Sequence, residues 1–391
     1  MSKKNICIIT EEFRPSFKGG IATWSTELAN YLSLKNYNLR IFLKKRGGLN
    51  KFFNIKKLPY EISFMGGRDW AYFKKWYTMF YLYNYVKNYH KPIIFSTNWE
   101  LSQGLILYKK YYKFSLITIL HGLEVTRLKS AKYKKNIKNF EKTLFFSDKV
   151  LSVSNYTKNK AKSIININKE IDVIPNFVNT KSYYPDNKKN FLNSYNLDKD
   201  DIILLSLSRL VRRKGHYMVI DIMKDLIKKY SKIKYLIAGT GDTNYELELK
   251  KYVKKLNLTK NIVFLGHVNE EEKIVIYNLC NIFLMTSLPT DKEGNSEGFG
   301  ITFLEANACG KPVIGTRVGG IPDAIENGKN GYIIKPNSCN ELKKIIIKLL
   351  DNELLYSSIC ANSINHVKSN FDVNLIGKKF ESLIDKLYDS L

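Results

Sequence analysis

The sequence predicts an α/β protein made of two doubly wound parallel-sheet domains, and three observations carry that prediction. Short, continuous apolar runs recur along the chain, as expected of strands buried on both faces. Stretches with apolar residues at helical spacing separate them, which is the alternation of a parallel sheet covered by helices. The pattern also stops and restarts on either side of IPNFVNTKSYYP (residues 174–185), whose two prolines suit an inter-domain linker. A chain of 391 residues is long enough for two such cores.

The first series opens with ICIIT (6–10), a loop EEFRPSFKGG, and the helical stretch IATWSTELANYLSLKNY. LRIFL (39–43), PIIFS (92–96), FSLITIL (114–120) and KVLSVS (149–154) are its further strand candidates. The second series runs through DIILLSLSRL (201–210), KYLIAGTG (234–241), NIVFLGHV (261–268), CNIFLMTS (280–287), KPVIGT (311–316) and GYIIKP (331–336). The expected division is a domain at 1–178, a second at 179–370, and a terminal helix at 371–391 that packs back on the first.

Composition narrows the function classes. Apolar content of 44% and aromatic content of 13% are those of a globular protein rather than a disordered one. Five scattered cysteines without CxxC spacing argue for reduced thiols in a cytosolic setting and against a zinc site. The N-terminus lacks the long apolar core of a signal peptide, and no charge-free run reaches the ~18 residues of a membrane span. The charge of +27 is uneven: residues 1–190 hold 35 Lys and Arg against 12 Asp and Glu, residues 191–391 hold 28 against 24. Such a field attracts polyanions, whether nucleic acid, anionic lipid or phosphorylated substrates, although a lysine-rich composition without function explains part of it.

Ligands of doubly wound sheets sit at the carboxyl ends of strands, and four motifs fall there. NSEGFGITFLEANACGKPVIGTRVGGIPDAI begins at Asn295 and carries Glu297 in a glycine-bounded loop and Glu305 on the helix expected to start near Phe299 or Gly300. Carboxylates bind vicinal hydroxyls well, and a helix N-terminus offers N–H groups. A solvated loop acid and an acid favoured by the helix dipole would carry the same two residues. SRLVRRKGHY (208–217) places Arg209, Arg212, Arg213 and Lys214 after a strand, where they can grip a diphosphate or form a solvated loop. FRPSFKGGIATW (13–24) holds Gly19 and Gly20 at a helix start, either a tight turn or a backbone anion site; it is neither GxGxxG nor a P-loop. HGLEV (121–125) puts His121 at a strand end beside a glycine, with structural and catalytic readings equally open.

Taken together, IPNFVN, SRLVRRKG, AGTGDTNYELE and EGFGITFLEANACGKPVIGTRVGGIPDAIENGKNGY resemble the retaining glycosyltransferases of family 4, which have the GT-B fold. The resemblance covers most of the chain to about residue 340, except about 45–110, which carry no motif of that family. It implies two Rossmann-like domains facing across a cleft, with a nucleotide-sugar donor held mainly by the second. Arg209 and Lys214 would then contact the diphosphate, Glu305 the ribose and Glu297 the transferred sugar. Phe299, Gly300 and Ile301 would supply the loop and helix start near sugar and phosphate, while Gly241, His267 and Val268 would frame the nucleotide. Gly19 and Gly20 would approach the diphosphate, and His121 would stand near the reacting centre. The implied catalytic set is His121, Arg209, Lys214 and Glu297, with no cofactor and no metal. The donor is a UDP-sugar by preference, with GDP-mannose second, and the acceptor is a lipid-linked sugar or glycan in cell-surface polysaccharide assembly.

Residues 69–92 interleave Trp70, Phe73, Trp76, Tyr77, Phe80 and Tyr81 with Lys74, Lys75 and Lys87. They read either as a face packed in the core or as an amphipathic segment at an anionic membrane, with peripheral attachment to its cytoplasmic side. Nucleic-acid binding is a rival reading of the charge, but no RRM, KH or helix-turn-helix signature accompanies it. A nucleotide-sugar epimerase and a catalytically idle partner subunit are two further functions that the same fold can serve.

Overall fold

A computed structural model of the chain describes residues 3–15, 19–45, 58–67 and 70–391. Residues 16–18 of the glycine-bearing loop and residue 69 at the head of the aromatic segment lie outside the described residues. The chain divides into two compact units, one of residues 1–177, 292–294 and 373–391, the other of 178–291 and 295–372.

The first unit holds a parallel sheet of β1 (Lys4–Thr10), β2 (Tyr37–Lys44), β3 (Glu61–Met65), β4 (Ile93–Ser96), β5 (Ser115–Leu120), β6 (Lys149–Ser152) and β7 (Asp172–Val173). Its order is β3-β2-β1-β4-β5-β6-β7, so the winding reverses between β1 and β4. Ile8 of β1 stands in register with Ile41 and Phe95, and all three are buried, as helices on both faces require. β3 and β7 are strands that the apolar pattern does not announce. Both lie at sheet edges, where EISFM keeps a glutamate and a serine and β7 is two residues long.

The helix Trp70–Asn88 covers this sheet with one face, burying Trp70, Thr78, Leu82, Tyr85 and Val86. Its other face carries exposed Phe73, Trp76, Phe80 and Tyr83. One side of the segment is thus packed in the core, as one of the two readings expects, and the other side is exposed. The C-terminal helix Val373–Asp389 is part of the same unit: the Phe380 ring packs edge-on against Trp24 and Phe95, each 5.8 Å away between centroids. Tyr31 donates to Glu381, and Gly377 lies against the Tyr31 ring so closely that a Cβ would come within 2.3 Å of it.

The second unit holds β8 (Ile202–Leu207), β9 (Ile233–Ala238), β10 (Ile262–Gly266), β11 (Ile282–Met285), β12 (Val313–Thr316) and β13 (Gly331–Ile334), all parallel, in the order β10-β9-β8-β11-β12-β13. Here the winding reverses between β8 and β11. Leu204, Tyr235, Ile237, Ile282, Leu284 and Ile314 form the centre of its core. The helix Ile301–Ala308 is pinned beneath the sheet by buried Asn307, whose amide donates to the carbonyls of Lys311 (2.9 Å) and Asn330 (3.0 Å) and to Ser363 Oγ (3.0 Å).

Because no side chain fits at Gly377, Gly377→Val is expected to lower the stability of the first unit by about 1–3 kcal/mol, the usual cost of overpacking. Chemical denaturation that leaves the midpoint unchanged would show that the terminal helix contributes nothing to that unit.

Candidate active site

The loops after β8 and β11 meet where the second sheet reverses, and their side chains form a buried ion cluster. The turn Arg212–Lys214 follows β8 and ends at Gly215, in left-handed backbone (φ 71°). A Cβ there would stand 1.9 Å from the Thr286 carbonyl oxygen, so only glycine lets this turn seat on the end of β11. Two hydrogen bonds complete the seat: Thr286 Oγ1 donates to the Gly215 carbonyl (2.9 Å), and the Leu288 N–H donates to the Arg213 carbonyl (2.7 Å).

Into this corner Lys214 Nζ brings a hydrogen bond to Glu297 Oε2 at 2.6 Å, and Arg213 Nη1 a second at 3.0 Å. Both cations converge on the same oxygen. The backbone of Glu297 is fixed in turn, since its carbonyl accepts the Gly320 N–H (2.9 Å) and a Cβ on Gly319 would lie 2.1 Å from that oxygen. Burial opposes the ionised carboxyl of Glu297, but the Lys214 and Arg213 charges overcome it and hold the pKa down to about 2. Burial likewise pushes Lys214 below the ordinary lysine range; Glu297 resists that shift, while Arg213 and Arg209 add to it. Arg209 is exposed and within electrostatic reach of Lys214. Arg212, grouped with these cations by the sequence, instead pairs with Glu248 and lies over the Tyr245 ring. His216 backs the turn between Ser208 Oγ and the Tyr245 hydroxyl, both 3.3 Å away, and burial with the Lys214 charge holds it neutral, its pKa lowered to about 3.

The remaining expected residues of this unit are spread around the cluster. Gly241, exposed, forms a bridge with Leu210, and a Cβ on it would stand 2.3 Å from the Leu210 carbonyl oxygen. Phe299 is buried; Gly300 caps the helix, which starts at Ile301, one residue after the later of the two starts expected from the sequence. Glu305 belongs to a second, separate group: the Tyr277 hydroxyl donates to its Oε2 (2.7 Å) and Lys273 Nζ lies 3.4 Å from its Oε1. Lys273 and Tyr277 escaped the sequence reading, although their spacing of four on the helix Glu270–Leu279 puts them on one face. His267, exposed, and Val268 follow edge strand β10, two strands away from β8.

In the first unit, Gly19 (φ 137°) and Gly20 begin the helix Gly20–Ser33, and the Gly19 carbonyl accepts the Thr23 N–H at 3.0 Å. His121 follows β5 with its ring edge-on to Trp24, centroids 5.3 Å apart. Its Nε2 is buried without a hydrogen-bond partner, and burial lowers its pKa to about 3, so the imidazole is neutral. Glu124 holds this loop: its Oε1 accepts the N–H groups of His121 (2.6 Å) and Gly122 (3.2 Å). Burial raises the Glu124 carboxyl to about 7 while those backbone donors oppose the shift. Among the described residues, no three His, Cys, Asp or Glu side chains gather as metal ligands would.

Glu297 makes the sharpest test of the cluster. Its folded pKa lies below the value of 4.5 for a free glutamate, so its stabilisation is complete above pH 4.5 and is lost as pH falls toward 2. Glu297→Gln leaves Lys214 buried with its carboxylate partner gone, and is expected to cost about 3–5 kcal/mol at neutral pH. The gap to wild type should close between pH 4.5 and 2 in urea unfolding. A gap constant with pH would remove the ion pair from the account.

Two family descriptions cover nearly the whole chain: Glycosyl transferases group 1 matches residues 187–366 and Glycosyltransferase Family 4 matches residues 18–182. An uncharacterized glycosyltransferase of Methanocaldococcus jannaschii is 30% identical over 268 residues, spanning 68% of each chain. The capsular polysaccharide biosynthesis glycosyltransferase CapM of Staphylococcus aureus is 28% identical over 273 residues, 68% of this chain and 69% of that one. Among solved structures, HepE of Anabaena in complex with UDP-glucose superposes with a TM-score of 0.78 at 19% identity, over 99% of this chain and all of the other. With two parallel sheets of seven and six strands, a GT-B architecture and both halves matched, the chain belongs to the group 1, family 4 glycosyltransferases.

Proposed function

We propose that this glycosyltransferase moves a hexose from a nucleotide-diphosphate sugar to a hydroxyl of a lipid-linked or glycan acceptor, with retention of anomeric configuration. The observation that carries the reading is the convergence of buried Lys214 and half-buried Arg213 on one oxygen of Glu297, at the reversal point of the second sheet. A reversal point is where such sheets bind nucleotides. The cations outnumber the carboxylate there, which suits a diphosphate. Glu297 Oε1, on which neither cation converges, is available to accept a sugar hydroxyl. A UDP-sugar is the favoured donor, GDP-mannose the second; the structure of HepE in complex with UDP-glucose supports the first. CapM, named for capsular polysaccharide biosynthesis, supports a cell-surface glycan as product.

In the proposed step the acceptor oxygen forms its bond to the anomeric carbon on the face from which the diphosphate departs. The bond from that carbon to the phosphate oxygen breaks, and the acceptor proton passes to the leaving oxygen. Lys214 and Arg209 stabilise the negative charge that grows on the diphosphate, in a corner where Lys214 is already desolvated and held in place. Glu305, clasped by Tyr277 and Lys273, serves the ribose, and the N–H groups of Phe299 and Gly300 serve sugar and phosphate. In the first unit, the unpartnered Nε2 of neutral His121 is suited to a sugar hydroxyl, as donor or acceptor according to tautomer. Glu124 positions His121 through the backbone.

Two measurements test this. In a thermal-shift series with UDP, GDP, ADP and CMP and their sugar conjugates, the uridine set is expected to raise the melting point. A ligand at ~100 times its dissociation constant adds about 2.7 kcal/mol, and silence across all four would sink the diphosphate assignment. Lys214→Ala and Arg209→Ala are each expected to lower kcat by about 10²-fold or more, the scale of losing one charge-stabilising donor. Near-normal turnover in both would show that the leaving group is stabilised elsewhere.

A further inference from the structure

The helix Trp70–Asn88 turns toward solvent a face that a folded protein normally hides. Phe73 is 48% exposed, Trp76 57%, Phe80 76% and Tyr83 38%. Their spacings of three, four and three place them within about 80° of arc on a stripe ~15 Å long. The stripe continues onto the following segment, where Tyr83 meets the rings of Tyr108 and Tyr112 at 6.0 and 6.2 Å, and where Leu107 and Tyr111 are exposed as well. Contiguous apolar surface of this kind marks a docking site.

The charge around the stripe decides what docks. Residues 70–88 and 107–114 contain no acidic residue, and of their lysines Lys75, Lys87, Lys110 and Lys113 are left for this surface, while Lys74 and Lys109 are paired with Glu11, Glu100 and Asp148. Several of these lysines reach along the apolar surface: Lys75 Nζ stands 5.3 Å from the centre of the Trp76 ring, Lys87 5.6 Å from Tyr83 and Lys110 5.7 Å from Tyr111. Aromatic rings flanked by lysine ammoniums match the acyl-to-headgroup boundary of an anionic bilayer, where rings sit between the two layers and cations meet lipid phosphates. A protein partner would have to supply a patch both apolar and strongly acidic.

The opposite face fixes the stripe to the fold. Trp70 Nε1 donates to Glu11 Oε1 (2.6 Å), and Lys74 Nζ bridges Glu11 Oε2 (2.9 Å) and Glu100 Oε2 (2.5 Å). The helix is therefore held at the carboxyl end of β1 before any membrane arrives. Among the described residues no helix is long and apolar enough to cross a bilayer.

We propose that the outer face of this helix, through Phe73, Trp76, Phe80 and Tyr83 and their lysines, docks the protein on an anionic membrane surface. The proposal stands on this surface alone, and vesicle binding is read without any sugar transfer, so it can fail while the transferase reading holds.

Trp76 supplies a site-specific signal, because Trp24, Trp70 and Trp99 are buried. Its emission is expected to shift to the blue with vesicles of phosphatidylcholine containing about one-third phosphatidylglycerol, not with phosphatidylcholine alone, and to return at high salt. Trp76→Phe should keep flotation with the anionic vesicles and lose the shift. The double variant Trp76→Ser, Phe80→Ser should lower flotation about tenfold or more while its melting temperature stays that of wild type. Lys87→Glu with Lys110→Glu should abolish the preference for anionic lipid. Equal recovery on neutral and anionic vesicles, or a serine variant that floats like wild type, would overturn the proposal. So would a concentration-dependent dimer that the serine variant abolishes without any vesicle binding, which would give the face to a second copy of the chain.

Discussion

A glutamate carboxylate withdrawn from water beside two cations is the interaction around which the second unit is arranged. Left alone, each of the charges at Glu297, Lys214 and Arg213 would cost several kcal/mol to bury. They are tolerated because the backbone on both sides is already fixed. Gly215 seats one loop on the end of β11, and the turn at Gly319 and Gly320 holds the carbonyl of Glu297. The cluster keeps a net positive charge in a desolvated corner, and its geometry is set before a ligand arrives. Preorganised charge of that kind costs no reorganisation when a diphosphate begins to leave.

The same topological device is used differently in the two units. Each sheet has one place where its winding reverses and two loops part, leaving a crevice at the strand ends. In the second unit the crevice gathers cations on a carboxylate. In the first it gathers donors on Glu11, which accepts from Trp70, Lys74, Lys44 (3.3 Å) and Asn98 (3.4 Å) and whose carboxyl is held below its usual range by these lysines against burial. The first crevice fastens a helix to a sheet and the second prepares a ligand site, so a reversal point alone does not define a function.

The central strands were legible because a parallel strand covered on both faces must be apolar at every position, and IIL or IIF runs meet that demand. Edge strands β3 and β7 have no such obligation and left no apolar run. The two glutamates of the Asn295 stretch were legible as a pair, but not their partners. Glu297 is joined to a lysine 83 positions earlier, a proximity created by tertiary structure and absent from any local period. Four neighbouring cations likewise looked equivalent until the turn sent Arg212 outward and Arg213 inward. The ACGKPV continuation is specific as a motif, yet beside it Asn307 serves packing, tying a helix to the Asn330 turn. For the aromatic segment, a helical projection separates Phe73, Trp76, Phe80 and Tyr83 from the buried side, but only the sheet beneath reveals which side is covered.

The terminal helix has a consequence for the order in which the protein is made. The chain leaves the first unit after Phe177 and returns to it at Val373, and where it does so Val178 donates to the Phe371 carbonyl at 2.9 Å. By Asp372 all of the second unit has been made, together with residues 292–294 of the first, while the first still lacks the helix that covers Trp24, Phe95 and Phe177. At about 5–20 residues per second, synthesis of residues 178–372 takes roughly 10–40 s. Throughout that interval an aromatic patch built by the first half of the chain stays bare on the ribosome. The half that is translated first is the half that finishes last.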